Sequence, residues 1–169
     1  MAKRAGDPLP DPPAGALWSC PRCGRAFANR NQSHFCGRHE LAPHFAGKSE
    51  LARLLFEDFV RLVNAIGPAV IVPEKSRIAF QVRMSFAALM VRKSYLVGHL
   101  VLARRLEHPR FSRIDTISAR NHVHHFRLER REDLDPLFAS WLREAYAVGE
   151  QRHLLPGAPA RRGAPGHRG

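Results

Sequence analysis

Apolar residues recur with a helical period between Ser49 and Gly67. They are spaced three or four positions apart, at Leu51, Leu54, Leu55, Phe59, Leu62, Val63 and Ile66. Because an α-helix has 3.6 residues per turn, this spacing places them on one side of an amphipathic helix. Ser49 is a favoured N-cap residue, and Gly67-Pro68 is a typical stop, so the helix is expected to lie between them.

The segment after this helix changes to the alternating pattern of β-strands. Between Ser76 and Met84, apolar and more polar residues alternate, which predicts a half-buried strand. Residues 69–72, 86–91, 95–103 and 122–129 predict further strands, with a turn at residues 92–94. Their short connections favour antiparallel pairing.

A second helix is predicted to begin at Asp135-Pro136, a cap residue followed by proline at the first helical position. Gly149 is expected to be its C-cap. The apolar side of this helix consists of Leu137, Phe138, Trp141, Leu142 and Ala145. The element order predicts an α+β fold: a mainly antiparallel sheet of four to five strands flanked by an N-terminal and a C-terminal helix.

The composition divides the chain into four segments. Residues 1–16 and 150–169 are rich in proline, glycine, alanine and arginine, and we expect disordered tails there. Residues 17–46 contain the cysteines, and residues 47–149 form the α+β domain. No apolar run is long enough to span a membrane, and the N-terminus lacks the apolar core of a signal peptide, so a cytoplasmic location is expected.

The chain is strongly basic. It has 27 lysine and arginine residues against 15 acidic residues, a formal net charge of +12. Such an excess favours contact with nucleic acid or another anionic partner, because phosphate neutralisation releases counterions. Only four of the cations are lysines, so the charge also fits a compositional bias toward arginine without a functional role.

All three cysteines lie within 17 residues, in a pattern typical of a zinc site. Cys20 and Cys23 form a Cys-x2-Cys half-site, and Cys36 follows with a histidine on either side, His34 and His39. Zn²⁺ prefers four tetrahedral sulfur and nitrogen ligands, which predicts a small zinc-ribbon-like knuckle with a structural ion. Spacing alone favours His39 as the fourth ligand, because residues three apart in a turn can face one ion, and leaves His34 as the alternative.

Several segments resemble a known family. The segments are Trp18–Phe27 (WSCPRCGRAF), Asn31–Cys36 (NQSHFC), RIAFQVRMSFAAL, LARRLEHPRF, HVHHFRL and WLREAY. They resemble bacterial proteins that carry the domain of unknown function catalogued as number 5655. The resemblance extends over residues 17–149. It implies a two-layer architecture of the YdhG and frataxin-like kind, and it implies His34 as the fourth zinc ligand with Cys20, Cys23 and Cys36.

Candidate chemistry outside the cysteine segment is sparse. His122 and His124 fall on one side of a predicted strand, and with Arg77, Arg83 and Arg120 they could form an anion-binding surface. No phosphate-binding loop, nucleophile elbow or paired catalytic carboxylates are present, so no catalytic residue is predicted. A non-enzymatic, zinc-containing binding protein is therefore favoured. The alternatives are a protein-interaction module stapled by zinc and a small-molecule or metal-handling domain that uses the histidine and arginine side chains.

Overall fold

The computed structural model describes residues 16–30, 34, 36, 37 and 39–154. Within this part of the chain, two α-helices accompany a six-stranded sheet and a two-stranded sheet. The helices are α1 (Glu50–Ile66) and α2 (Pro136–Gly149). The strands are β1 (Trp18–Ser19), β2 (Ala26–Phe27), β3 (Val70–Pro73), β4 (Ile78–Gln81), β5 (Ser85–Val91), β6 (Leu96–Leu102), β7 (Phe111–Ser118) and β8 (Asn121–Leu128).

The large sheet is antiparallel throughout, with the order β3-β4-β5-β6-β8-β7. The α+β class and the flanking helices are confirmed, but the sheet has six strands rather than four or five. The additional strand, β7, is an edge strand in which only Phe111 is buried. An edge strand that faces solvent along most of its length lacks the alternation of apolar residues that identifies a half-buried strand.

Helix α1 has the predicted ends. The Ser49 side chain accepts a hydrogen bond from the backbone N–H of Ala52, and Gly67 follows the last helical residue. The buried side is shifted from the predicted one, because Leu51 is exposed whereas Ala52 and Phe56 are buried. Short 3-10 turns flank the helices at Ala42–Phe45, Arg131–Asp133 and Arg152–Leu154, and the last of these falls within the predicted C-terminal tail.

Helix α2 begins at the predicted cap. The Asp135 side chain accepts a hydrogen bond from the backbone N–H of Phe138. Gly149, predicted as the C-cap, is instead the last helical residue, and Glu150 is the cap. A β-carbon at Gly149 would lie 2.9 Å from Cδ1 of Phe86. This close approach of strand β5 to the helix end explains why glycine stands at this position.

Both helices pack on one face of the sheet. Four phenylalanines surround the centre of the main core: Phe59 of α1, Phe80 of β4, Phe126 of β8 and Phe138 of α2. The ring centroids of neighbouring pairs are 4.9 to 6.5 Å apart. The opposite face of the sheet carries a separate, small apolar cluster of Val72, Ala79 and Ala88. The two faces therefore differ in chemistry, and the second face is available for polar side chains.

The predicted terminal tails lie largely beyond the described residues, which exclude 1–15 and 155–169. Neither α-helix within the described part of the chain combines the length and apolar character that crossing a bilayer requires.

Candidate metal centre

The cysteine segment is organised by a hairpin whose two strands have two residues each. Strands β1 and β2 pair antiparallel, with Trp18 opposite Phe27. In the turn between them, the N–H of Gly24 donates to the carbonyl of Cys20 at 2.8 Å, and the N–H of Cys20 donates to the carbonyl of Arg25 at 2.9 Å. Gly24 has a φ of +71°, a left-handed conformation that glycine adopts without steric cost. The turn holds Cys20 and Cys23 close together.

Four side chains converge at this turn. The candidate ligand atoms of Cys20, Cys23, His34 and Cys36 all lie within 4.8 Å of one another. The sulfurs of Cys20 and Cys36 are 3.7 Å apart. Nε2 of His34 lies 3.5 Å from the sulfur of Cys23 and 3.3 Å from that of Cys36. These three cysteines and one histidine could hold a metal ion.

The separations agree with a tetrahedral site. Zinc–sulfur bonds of about 2.3 Å and zinc–nitrogen bonds of about 2.0 Å imply edges of about 3.8 Å between sulfurs and about 3.5 Å between sulfur and nitrogen. The observed 3.7, 3.5 and 3.3 Å are close to these edges. Three of the six separations in the cluster therefore agree with one tetrahedral ion, and the remaining ones are within 4.8 Å.

Aromatic packing orients the His34 ring. Its centroid lies 4.2 Å from that of Phe27 and 6.2 Å from that of Trp18. Phe27 is buried, so the hairpin residues opposite the ligands form a small apolar support. His34 is thus held by residues of the same segment.

The electrostatics favour thiolates at two of the three cysteines. The hydrogen bond from the Arg25 backbone is the main cause that lowers the pKa of Cys23 to about 6. Burial opposes the same change at Cys20, but hydrogen bonds from the backbones of Arg22 and Cys23 lower its pKa overall. Burial and the neighbouring thiols raise the pKa of Cys36. Metal ions bind the thiolate form, so the lowered pKa values of Cys20 and Cys23 favour metal binding by these two side chains.

His39, the ligand that spacing alone favoured, is not one of the clustered side chains. It lines a shallow cavity with Glu40, Pro43, His44, Glu74 and Lys75. His34 and Cys36, two residues apart, both face the centre of the cluster, whereas His39 would face it only in a turn that brings residues three apart together.

The cysteine segment is fixed to the domain through the β4–β5 connection. The N–H of Ala28 donates to the carbonyl of Arg83 at 3.1 Å, and the side-chain amide of Gln81 donates to the carbonyl of Ala26 at 2.9 Å. Gln81 is buried. Arg83 and Met84 in turn donate to the carbonyl of Gly149 at the end of α2. The candidate metal centre therefore lies against one end of the large sheet.

The three predicted anion-binding arginines do not form one group, because Arg77 lies apart from the other two. Arg77 precedes β4 and Arg83 follows it, so they lie at opposite ends of that strand. Arg77 pairs with Glu74 at 2.5 Å. Arg83 donates to the side chain of Gln151 at 3.1 Å, and Arg120 donates to the carbonyl of His153 at 3.5 Å.

The two predicted histidines face the interior. His124 is fully buried, where its Nε2 accepts from the N–H of Leu106 at 2.9 Å and its Nδ1 donates to the carbonyl of His122 at 3.0 Å. Burial is the main cause that lowers the pKa of His124. Nδ1 of His122 lies 3.1 Å from the hydroxyl of Thr116. Both side chains belong to the helix-facing side of β8, so the prediction of an open histidine and arginine surface at these positions does not fit the fold.

Two groupings of side chains that depend on tertiary contacts are not predicted by the sequence. On the face opposite the helices, His99 and His125 stand side by side, with Asp115 and Arg113 next to them. At the end of the sheet away from the cysteine segment, the backbone of Ser49, which follows Lys48, hydrogen-bonds to Lys93 in the turn that also carries Arg92. The only sequence signal for either grouping is the alternation of residues along the strands, which assigns a face but no neighbour.

The fold and site together define a two-layer α+β domain with an N-terminal three-cysteine, one-histidine cluster. The family model described as Domain of unknown function (DUF5655) matches residues 41–149, more than half of the chain, and the protein belongs to this family. The match begins after the clustered ligands, so membership rests on the α+β domain. No curated protein and no solved structure shows significant similarity to this chain.

Proposed function

We propose that this protein is a non-enzymatic binding protein whose domain contacts nucleic acid through a basic surface. In this proposal a structural zinc ion stabilises the fold of the N-terminal segment. The observation that carries the proposal is a cluster of three exposed cations at one end of the sheet, beside an aromatic ring. The three cations are Lys48, Arg92 and Lys93, and the ring is that of Tyr95, on which the guanidinium of Arg127 stacks. We call these five residues the basic turn surface.

Zinc is the metal that this ligand set suits best. Three thiolates and one imidazole in tetrahedral arrangement are typical of structural zinc sites. Four protein ligands leave no coordination position for water or substrate, so the ion would stabilise the segment rather than act on a substrate. The reducing conditions of the cytoplasm, where we place the protein, would keep the three thiols available for metal.

The charge of the domain is only partly neutralised by its own carboxylates. Among the described residues, arginines pair with Asp58, Glu74, Glu107, Asp115, Glu129, Asp133, Asp135, Glu144 and Glu150. Because these carboxylates are already engaged, the remaining cations produce the positive potential that attracts a polyanion. The net charge of +12 supports the same conclusion.

The backbone brings Lys48, Arg92 and Lys93 together. The N–H of Ser49 donates to the carbonyl of Lys93 at 2.7 Å, which joins the start of α1 to the β5–β6 turn. Lys48, Arg92 and Lys93 are all exposed. In the described part of the chain, none of the three lies within ion-pair distance of a carboxylate.

An aromatic ring lies beside these cations. The guanidinium carbon of Arg127 is 3.8 Å from the ring centroid of Tyr95, and the N–H of Arg92 donates to the carbonyl of Tyr95 at 2.9 Å. Cations contact phosphates, and an aromatic or guanidinium plane can stack on a base. With a single ring, the surface supports binding of the backbone with little sequence preference.

Salt-dependent binding tests the proposal. Affinity for mixed-sequence DNA and RNA oligonucleotides would be measured by fluorescence anisotropy between about 50 and about 200 mM salt. The triple variant Lys48→Ala/Arg92→Ala/Lys93→Ala should bind more weakly, and its log–log salt slope should be smaller by about 2 to 3.

The matched control removes three cations that are paired with carboxylates, in the variant Arg105→Ala/Arg130→Ala/Arg152→Ala. It lowers the net charge by the same amount and should change affinity much less. Equal losses in the two triple variants, or no binding by the parent protein at the lowest salt concentration, would contradict the proposal.

A further inference from the structure

Two histidines stand next to each other on the sheet face that the helices leave uncovered. His99 of β6 and His125 of β8 are directly paired across the strands. Their ring centroids are 5.7 Å apart, with an angle of 58° between the planes. Both side chains are partly exposed, His125 by 25%. The pair is thus reachable from solvent on this face.

A carboxylate holds the ring of His125 in one tautomer. Nε2 of His125 lies 2.8 Å from Oδ2 of Asp115, and Arg113 forms an ion pair with the same oxygen at 2.9 Å. The hydrogen bond with His125, together with the guanidinium of Arg113, keeps the pKa of Asp115 below its usual range. An ionised carboxylate only accepts hydrogen bonds, so Nε2 of His125 carries the proton.

In the neutral ring, the other nitrogen of His125, Nδ1, carries the lone pair. Arg113 also lies 3.0 Å from Nε2, but a protonated Nε2 cannot accept its hydrogen bond, so Arg113 donates to Asp115 instead. An imidazole whose N–H is bound by a carboxylate is the usual form of a metal-ligating histidine, because the carboxylate fixes the ring and raises the basicity of the second nitrogen.

His99 is also available as a neutral ligand. Burial is the main cause that lowers its pKa to about 4, and the nearby Arg77 and His125 act in the same direction. Within the described part of the chain, neither ring nitrogen of His99 forms a hydrogen bond.

The separation of the rings is close to that of two imidazoles on one ion. Metal–nitrogen bonds of about 2.0 to 2.1 Å and angles between about 90° and about 109° place the centroids about 4.5 to 5.2 Å apart. The observed 5.7 Å is larger by about half an ångström, a difference that small side-chain rotations remove.

We propose that His99 and His125 bind one divalent transition-metal ion of the imidazole-preferring class, such as Ni²⁺ or Zn²⁺, with Asp115 positioning the ring of His125. The site shares no ligand with the three-cysteine, one-histidine cluster and is independent of nucleic-acid binding. Two protein ligands leave the remaining coordination positions to water or to an external group. Metal in this site is therefore exchangeable, unlike metal held by four protein ligands.

The test uses the full chain with its cysteine cluster loaded with zinc. Ni²⁺ is titrated calorimetrically, and paramagnetic broadening of imidazole signals is followed by NMR. The expected result is one Ni²⁺ equivalent that broadens the signals of His99 and His125. This equivalent should be lost in His99→Ala and in His125→Ala.

Two further variants separate coordination from general effects on the fold. Asp115→Asn should weaken Ni²⁺ binding by about 10- to 100-fold and change the ¹⁵N shifts that report the His125 tautomer. His108→Gln, which changes a histidine packed against Trp141 on the helix side, should bind Ni²⁺ as the parent does. The proposal is overturned if the parent binds no Ni²⁺ equivalent, if other histidines are broadened instead, or if the double variant His99→Ala/His125→Ala retains the parent affinity.

Discussion

Nε2 of His34 lies 3.3 Å from the sulfur of Cys36, two residues further along the chain. His34 belongs to the cluster, while His39 lies in a cavity with Glu74 and Lys75. The different roles expected for the two histidines can be tested directly.

We expect His34→Ala to reduce zinc affinity strongly and His39→Ala to leave it nearly unchanged. Loss of one of four ligands opens a coordination position and removes the ring that packs on Phe27. Competition with a chromophoric chelator measures both affinities. Equal zinc affinity in both variants and the parent would contradict the four-ligand arrangement.

Metal removal should loosen the N-terminal segment and leave the domain folded. The segment has little core of its own, so its order depends on the ion. Chelation, or the variant Cys23→Ser, should shift the NMR signal of the Trp18 indole and leave that of the buried Trp141 in place. Ser19→Ala, which changes an exposed neighbour of Cys20, is the matched control and should behave as the parent. Simultaneous loss of both indole signals on chelation would show that the ion supports the whole domain.

Zinc affinity should also depend on pH in a definite direction. The pKa of Cys23 is about 6. Protons compete with the ion for Cys36, whose pKa is raised, already above neutral pH, and for Cys23 as the pH decreases through 6. Affinity should therefore fall with decreasing pH, and more steeply below 6. Chelator competition at a series of pH values measures the effect. A pH-independent affinity in this range would be inconsistent with thiolate ligation.

Asp135 should make stability sensitive to acid. Its carboxylate caps α2 through Phe138 at 2.8 Å and pairs with Arg110 at 2.9 Å, and both contacts lower its pKa. A depressed folded-state pKa contributes stability that is present above the unfolded value of about 3.9 and is lost as the pH falls through the folded value. Urea unfolding at a series of pH values measures this contribution to the free energy of unfolding.

Two substitutions separate the cap of Asp135 from its charge. Asp135→Ala should cost about 1 kcal/mol at neutral pH through loss of the cap. Asp135→Asn retains a good cap but removes the titrating group, so it should flatten the acid dependence while costing less at neutral pH. An unchanged acid dependence in the asparagine variant would assign the effect to other carboxylates.

Gly149→Ala should destabilise the domain despite the better helix propensity of alanine. Alanine gains up to about 1 kcal/mol in a helix, whereas overpacking a core costs about 1 to 3 kcal/mol. The new β-carbon would lie 2.9 Å from Cδ1 and 3.0 Å from Cβ of Phe86, which is fully buried, so the overpacking cost should prevail. Urea unfolding measures the change, and the cost should be smaller in a Phe86→Leu background. A net gain in stability would show that Phe86 can shift at no cost.

The sequence by itself determined the elements whose signals are local. The caps Ser49 and Asp135 and the stop at Gly67 act within one helical turn, so both helices could be located. The Cys-x2-Cys spacing of Cys20 and Cys23 likewise indicated a metal half-site, because a short turn brings its two sulfurs together.

Only the tertiary structure decided which distant residues meet. The edge strand β7 was missed because solvent faces most of its side chains. His122 and His124 were placed on one face correctly, but which face is covered depends on the helices, and that face proved to be the buried one. The neighbours of His99 and of Lys93 follow from strand pairing and from the docking of α1, and these are set by the packing of the core as a whole, which no local pattern encodes.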